Sequence, residues 1–301
     1  ATSAQNGLHS AGSVSLVTKS GTNELHGDLF EFVRNGRFNA RNAFATKRDT
    51  LKRNQFGGTV GGPISKNKRF CFAGYQGTTT RQDPIDTTGF TLTPATLAGD
   101  FTAITAAACN SGRPISLRAP FVNNRIDPSL FSRAALNLAT KLPISSDPCG
   151  KIIYGSPVVR NQHMAIGKVD YQINANHSIF GRYLADSLKE TPPYVLNHNL
   201  FSGNQNGGDR LPQAFTLGDT YLFGPNVVNA IRLIANRSAL RKTIGETFNF
   251  ADLGVKMYTY TPKQFKVLIN GSLPQAGNYG PTNTAIFALS DDLSIVRGNH
   301  Q

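Results

Sequence analysis

No stretch of this chain approaches the roughly 20 consecutive apolar residues that a transmembrane helix needs, so any membrane crossing must be made by strands. The sequence also lacks Gly-x-Ser-x-Gly, His-Glu-x-x-His and any cysteine set beside a base, and it is read as a chain without enzyme activity. Its six histidines, His9, His26, His163, His177, His198 and His300, fall without ligand spacing, and there is no Cys-x-x-Cys, so no metal or cofactor is assigned. Of the three cysteines, Cys71 sits in a strand pattern, while Cys109 and Cys149 flank a long loop region. That pair reads as a disulfide, with two unpaired buried thiols as the alternative. If formed, the bond would remove about 4 kcal/mol of loop entropy from the unfolded chain and would require an oxidising compartment. The opening Ala1-Thr2-Ser3 carries no signal peptide and Gly298-Asn299-His300-Gln301 reads as a turn, so both ends read as cuts.

Basic residues number 31 against 18 acidic, a net charge of +13. Apart from Lys47-Arg48 and Lys52-Arg53 they are scattered, and no helical stripe collects them, which argues against nucleic acid as a partner. A basic lumen or loop surface that attracts acidic lipid headgroups or anionic solutes accounts for the charge equally well. A hydrophobic content of 39% suits a soluble protein or a barrel, because barrels hide apolar residues by alternation.

What the chain does contain is hairpins. From Ala165, alternate positions Ala165, Gly167, Val169, Tyr171 and Ile173 are apolar or amphipathic, while Lys168, Asp170 and Gln172 fall between them, the period of a strand with two unlike faces. Asn174-Ala175-Asn176-His177 supplies turn chemistry, and Ser178 to Asp186 resumes with Arg182 and Asp186 on one face and Ile179 and Tyr183 on the other. Phe215 to Phe223, the turn Gly224-Pro225-Asn226 and Val227 to Arg237 repeat the design, with Arg232 and Asn236 alternating against Ile231, Leu233 and Ala235. A third copy runs from Phe56 to Ile64, through Ser65-Lys66-Asn67-Lys68, to Arg69 to Gln76. Strands of about nine to eleven residues with short turns at one end and long polar loops at the other describe an outer-membrane barrel, its apolar face on lipid and its charged face on a lumen. Lys168, Asp170, Arg182, Asp186, Arg232 and Asn236 are therefore the candidate lumen-lining residues, read either as a solute path or as a structural salt-bridge ladder.

The rest of the chain fits around these hairpins. Gly12 to Asn23 reads as a short strand running into a turn, and Leu25 to Asn35 as the first barrel strand. Gly57, Gly58, Gly61 and Gly62 could suggest a phosphate-cradling loop, but Pro63 stands where a Walker motif needs lysine, so close backbone approach or a bend is expected. Between about Thr78 and Asn161 alternation stops. Thr93-Pro94 and Asp127-Pro128 each place a capping side chain before a proline, predicting two short helices, the second over Pro128 to Lys141. Further outer loops are expected over Gly36 to Asn54, Lys189 to Asp209 and Lys242 to Thr282, and an eighth strand over Ala285 to Val296 with Leu293 and Ile295 facing lipid. Tyr171, Phe180, Tyr221 and Phe223 flank two short turns as an aromatic girdle would. In the first, third and sixth strands both faces carry apolar residues, and the pattern leaves lumen and lipid sides open.

Particular residues add a resemblance. Thr18-Lys19-Ser20-Gly21-Thr22-Asn23, His26-Gly27, Phe30 and Arg34-Asn35, followed by Arg53-Asn54-Gln55-Phe56-Gly57-Gly58-Thr59-Val60-Gly61-Gly62-Pro63-Ile64, resemble the plug-to-barrel junction of TonB-dependent outer-membrane receptors. The similarity is to the Oar-like group, which carries a carboxypeptidase-regulatory-like domain, and it continues through Leu217-Gly218-Asp219-Thr220-Tyr221 and Leu289-Ser290-Asp291-Asp292-Leu293-Ser294. The resemblance implies that residues 1–23 end a plug domain and that 24–301 begin the barrel, a partial antiparallel transmembrane β-barrel of about eight strands in a curved meander with short helices in its outer loops. It implies the bacterial outer membrane as location and energised uptake of a scarce large solute such as a siderophore, cobalamin, saccharide or peptide. Implied partners are outer-membrane lipid and the TonB complex, the latter through an N-terminal region outside these residues. The alternative from a different class is a soluble or surface β-sandwich that binds glycans.

Overall fold

The computed structural model describes residues 17–41, 43, 48–203, 206–260, 262–264, 267 and 280–297. Its main sheet is an eight-stranded antiparallel meander built from β1 (His26–Asn35), β2 (Lys52–Ser65), β3 (Arg69–Gln82), β6 (Val158–Asn174), β7 (His177–Thr191), β8 (Gly207–Gly224), β9 (Val227–Thr243) and β10 (Gly280–Ile295), paired in that order. β4 (Ile85–Phe90) and β5 (Lys151–Gly155) form a separate two-stranded sheet inside the long connection. Among the described residues β1 and β10 each pair on one side only, so the sheet is open, as in part of a barrel. Unpaired edges of this length are aggregation hazards unless partners cover them.

The predicted hairpins form with their predicted turns, because asparagine or glycine supplies the backbone each turn requires: Asn67 has φ 64° and Gly224 φ 152°. The strands are longer than expected, 17 residues in β6 and 18 in β8. Alternation in the sequence fades where both faces become polar, but the backbone ladder does not depend on side-chain polarity and continues. For the same reason the long connection spans 83–157 instead of Thr78 to Asn161, and the other outer loops are shorter than predicted. Among the described residues preceding β1 there is no strand: 17–25 are irregular, and Gly12 to Leu16 lie outside the described residues, as does the turn at Gly298.

In the long connection Thr93 caps α1 (Pro94–Leu97) through a reciprocal pair: its Oγ1 accepts from the Thr96 backbone N–H, while the Thr96 hydroxyl accepts from the Thr93 N–H. Asp127 likewise accepts from the Ser129 N–H. The single helix expected over Pro128 to Lys141 is instead a 3₁₀ turn at Pro128–Leu130 and a separate α3 (Arg133–Ala139), α2 being Thr102–Thr105. The break comes where Phe131 turns extended and sets its ring edge-on to Phe101, 6.5 Å between centroids. Cys109 and Cys149 are bonded, with their Cα atoms 5.3 Å apart.

The most buried apolar residues sit among the outer loops. Leu200 and Phe201, just after α4 (Pro193–Asn197), pack against the β4–β5 sheet, the Phe201 ring 5.4 Å from that of Tyr154. The Asn137 amide of α3 donates to the carbonyl of buried Leu253 in the loop after β9 at 3.0 Å. Three outer loops thus share one small core, while the main sheet is a single layer. That overturns the β-sandwich alternative, which needs a second sheet over the apolar face: Val169 is 47% exposed, Ile231 37% and Leu233 48%.

Candidate functional site

Antiparallel register decides which side chains share a face, because directly paired residues project to the same side. Lys168 pairs with Arg182, Arg182 with Thr216, and Thr216 with Ile234; Arg232 and Asn236 lie two residues on either side of Ile234. Asp170 and Asp186 stand at even steps from Lys168 and Arg182 on their strands. The register therefore brings Lys168, Asp170, Arg182, Asp186, Arg232 and Asn236 together on one polar face. The buried strand residues Phe72, Thr78 and Thr216 belong to that face as well.

The opposite face carries Leu29, Val60, Val169, Tyr183, Phe215, Leu217, Leu233 and Phe287, all exposed. Leu293 and Ile295 of β10 are on it too, 59% and 53% exposed. A single sheet layer with one polar and one apolar exposed face is stable only where the apolar face is covered by something other than water. The register also settles the strands that alternation left open. Leu29 and Val33 of β1, Tyr75 of β3 and Phe215 of β8 take the apolar face, whereas Phe30, Phe72 and Ala214 take the polar one.

Those polar-face aromatics follow a rule. Phe30, Phe72 and Phe180 stand directly across from Gly57, Gly61 and Gly218, and each ring covers its glycine. This corrects the expected girdle. Tyr171, Tyr221 and Phe223 are on the apolar face at the short-turn end, the last two with centroids 4.7 Å apart, but Phe180 points the other way.

A family model for outer membrane beta barrel domains matches residues 17–301. The chain belongs to that family. No curated protein and no solved structure matches it. The apolar face of the barrel is therefore its lipid surface, the polar face its lumen wall, and the protein is located in the bacterial outer membrane.

Along the barrel's lumen wall the charges are mostly paired locally. Lys168 Nζ lies 2.9 Å from Asp170 Oδ1 and 5.1 Å above the Phe180 ring, with its side chain only 12% exposed. Arg232 pairs with Asp292 at 2.9 Å, and Arg160 with Glu190 at 2.8 Å. Arg182 and Asp186 do not complete a ladder with each other: Arg182 donates to Thr216 Oγ1 at 3.1 Å, and both Asp186 oxygens accept from Gln162 Nε2 at 3.0 Å. Exposed pairs such as Arg232–Asp292 add about 0–1 kcal/mol each, so their effect is to keep the wall wet and polar more than to hold it together.

The sequence reading missed Arg160, Gln162, Thr216, Glu190 and Asp292. Counting even steps from Lys168 reaches Gln162 and Arg160; the others needed the cross-strand register. Among the described residues no group of three or more His, Cys, Asp or Glu is placed to hold a metal ion.

The segment before β1 also meets the lumen wall. Ser20 Oγ lies 2.5 Å from Lys168 Nζ. Asn23 Nδ2 donates to Asn67 Oδ1 at 2.6 Å, and the Asn67 N–H donates to Asn23 Oδ1 at 2.7 Å, tying the segment to the β2–β3 turn. Gly21 lies against the Gly62 and Cys71 backbones with no room for a β-carbon.

Proposed function

We propose that this barrel is part of a TonB-dependent receptor, of the Oar-like kind, that takes up a scarce large solute such as a siderophore, cobalamin, saccharide or peptide, and that it catalyses no reaction. In this reading residues up to 23 are the end of a plug domain and 24–301 the first part of the barrel. TonB engages a region N-terminal to the plug. Lys168, Asp170, Arg182, Asp186, Arg232 and Asn236 line the route that opens when the plug is displaced.

The observation that carries the reading is the way Ser20, Gly21 and Asn23 enter the lumen and attach to its wall at the short-turn end. A barrel whose lumen is only a passive pore has no need to fasten the segment before its first strand inside. The cap of packed outer loops supports it further, since a large solute captured from outside must first meet a folded surface.

The test is uptake in the native bacterium. Cells lacking the gene, and separately cells lacking TonB, are supplied with each solute class as the limiting nutrient. The reading predicts loss of growth on the same solute in both strains. Growth that depends on the gene but not on TonB would assign the barrel to passive diffusion instead.

A further inference from the structure

On the lipid face the residue types change in order toward the long-loop end. In β2 the sequence of outward side chains is Val60, Gly58, Phe56, Asn54, Lys52; in β3 it is Ala73, Tyr75, Gly77, Thr79, Arg81. The apolar residues give way to an aromatic layer, where the Phe56 and Tyr75 centroids are 6.4 Å apart and the Tyr75 hydroxyl lies 2.7 Å from His163 Nδ1. A polar layer and then cations follow. This is the order in which hydrocarbon, interface and headgroup succeed one another across the outer half of a bilayer.

The cations are Lys52 and Arg81, directly paired across β2 and β3, and farther round the same face Lys189 of β7 with Arg237 and Arg241 of β9. All are exposed. The carboxylates at this end of these strands are Glu31 and Asp209, yet among the described residues none of these cations takes part in an ion pair. Arg81 is held in place without being neutralised: Nη1 donates to the carbonyls of Thr80 and Arg160 at 2.8 and 3.1 Å, and Nη2 to Asn161 Oδ1 at 2.8 Å. A guanidinium oriented by neutral partners beside an unpaired ammonium is suited to phosphate oxygens.

We propose that Lys52 and Arg81, extended by Lys189 and Arg241, bind the phosphates of an outer-leaflet glycolipid, lipopolysaccharide, whose acyl chains lie along Val60, Ala73 and the apolar surface beyond. Charge complementarity and position select this occupant. The cations point away from the lumen, so a solute in transit does not pass them. They stand at the long-loop end, which in such barrels is the outer one, where phosphorylated glycolipid supplies the anionic groups.

The test is native mass spectrometry of the purified full-length protein in detergent, titrated with lipopolysaccharide, with the same lipid after enzymatic dephosphorylation, and with inorganic phosphate as competitor. A Lys52→Gln, Arg81→Gln variant is compared with a lumen-face control of equal charge loss, Arg182→Gln, Arg232→Gln, and with the charge-conserving Lys52→Arg, Arg81→Lys. Circular dichroism verifies that each barrel is folded. At about 1 kcal/mol per cation near a charged lipid surface, the double replacement should weaken lipid binding about thirtyfold. Dephosphorylation should weaken binding to the unaltered protein to a similar degree, while the control and the charge-conserving variant stay within about threefold. Undiminished binding by the Gln variant, equal loss in the lumen control, or full displacement of the lipid by inorganic phosphate would each overturn the proposal; the last would make this a site for free anions.

Discussion

Phe180 of β7 stands directly across the ladder from Gly218 of β8, and its ring occupies the space that a β-carbon on that glycine would need. Lys168 Nζ rests over the other side of this arrangement, 5.1 Å from the ring centroid. Gly218→Leu should therefore push Phe180 out of place and cost about 1–3 kcal/mol, as overpacking does. Denaturant unfolding of the refolded protein in lipid checks this: the midpoint falls for Gly218→Leu but stays near the parent's for a leucine at Gly167, which has nothing within 4 Å of its β-position.

Asn67 holds the segment before β1 while also supplying the left-handed turn between β2 and β3. Asn67→Gly keeps that backbone geometry and removes the side-chain oxygen that accepts from Asn23. The expected loss is about 1 kcal/mol of local attachment. Trypsin cleavage after Lys19 should accelerate severalfold while the sheet remains resistant.

The bond between Cys109 and Cys149 closes a loop 40 residues long around the α1–α3 region. Replacing both with serine should destabilise the outer-loop unit by about 4 kcal/mol without opening the barrel. Hydrogen exchange should rise through 93–150 and remain unchanged in β6 to β9.

Acid should loosen the same unit. Hydrogen bonds from Thr102, then the Arg125 guanidinium, hold the Asp100 carboxyl below its ordinary 3.8, and hydrogen bonds from Ser129 lower that of Asp127. A depressed carboxyl pKa contributes stability that is complete above 3.8 and is lost as the pH falls below it through the lowered value. An acid-active protease should cut between Asp100 and Arg125 with increasing ease over about pH 4 to pH 2. Asp100→Asn should cut readily throughout and show a flatter pH dependence.

The hairpins were readable from sequence because a period of two survives wherever one face meets hydrocarbon and the other water. It gave β6, β7 and β9 with their turns, and it grouped Lys168 with Arg182 before any register was known. It failed where aromatics turn inward. Phe30, Phe72 and Phe180 are apolar residues on the lumen wall because each covers a glycine on the neighbouring strand, a relation between strands that no single strand's pattern contains. It failed again at strand ends such as Thr78 to Gln82, where both faces are polar and the ladder alone carries the strand. The helix break at Phe131 was hidden for a similar reason, since it depends on Phe101 thirty residues away. Arg81's place beside Lys52 likewise became visible only through the β2–β3 register.

The central claim is that hydrocarbon covers the face bearing Val169 and Leu233, and the sequence offers a clean probe because it contains no tryptophan. The most direct measurement is fluorescence of Leu233→Trp and Asn236→Trp variants in bilayers with brominated acyl chains, each also titrated with aqueous acrylamide. The account predicts strong quenching of Leu233→Trp by the bromolipid and little by acrylamide, with the reverse for Asn236→Trp. A tryptophan at 233 that acrylamide reaches and bromolipid does not, or that neither reaches, would contradict it.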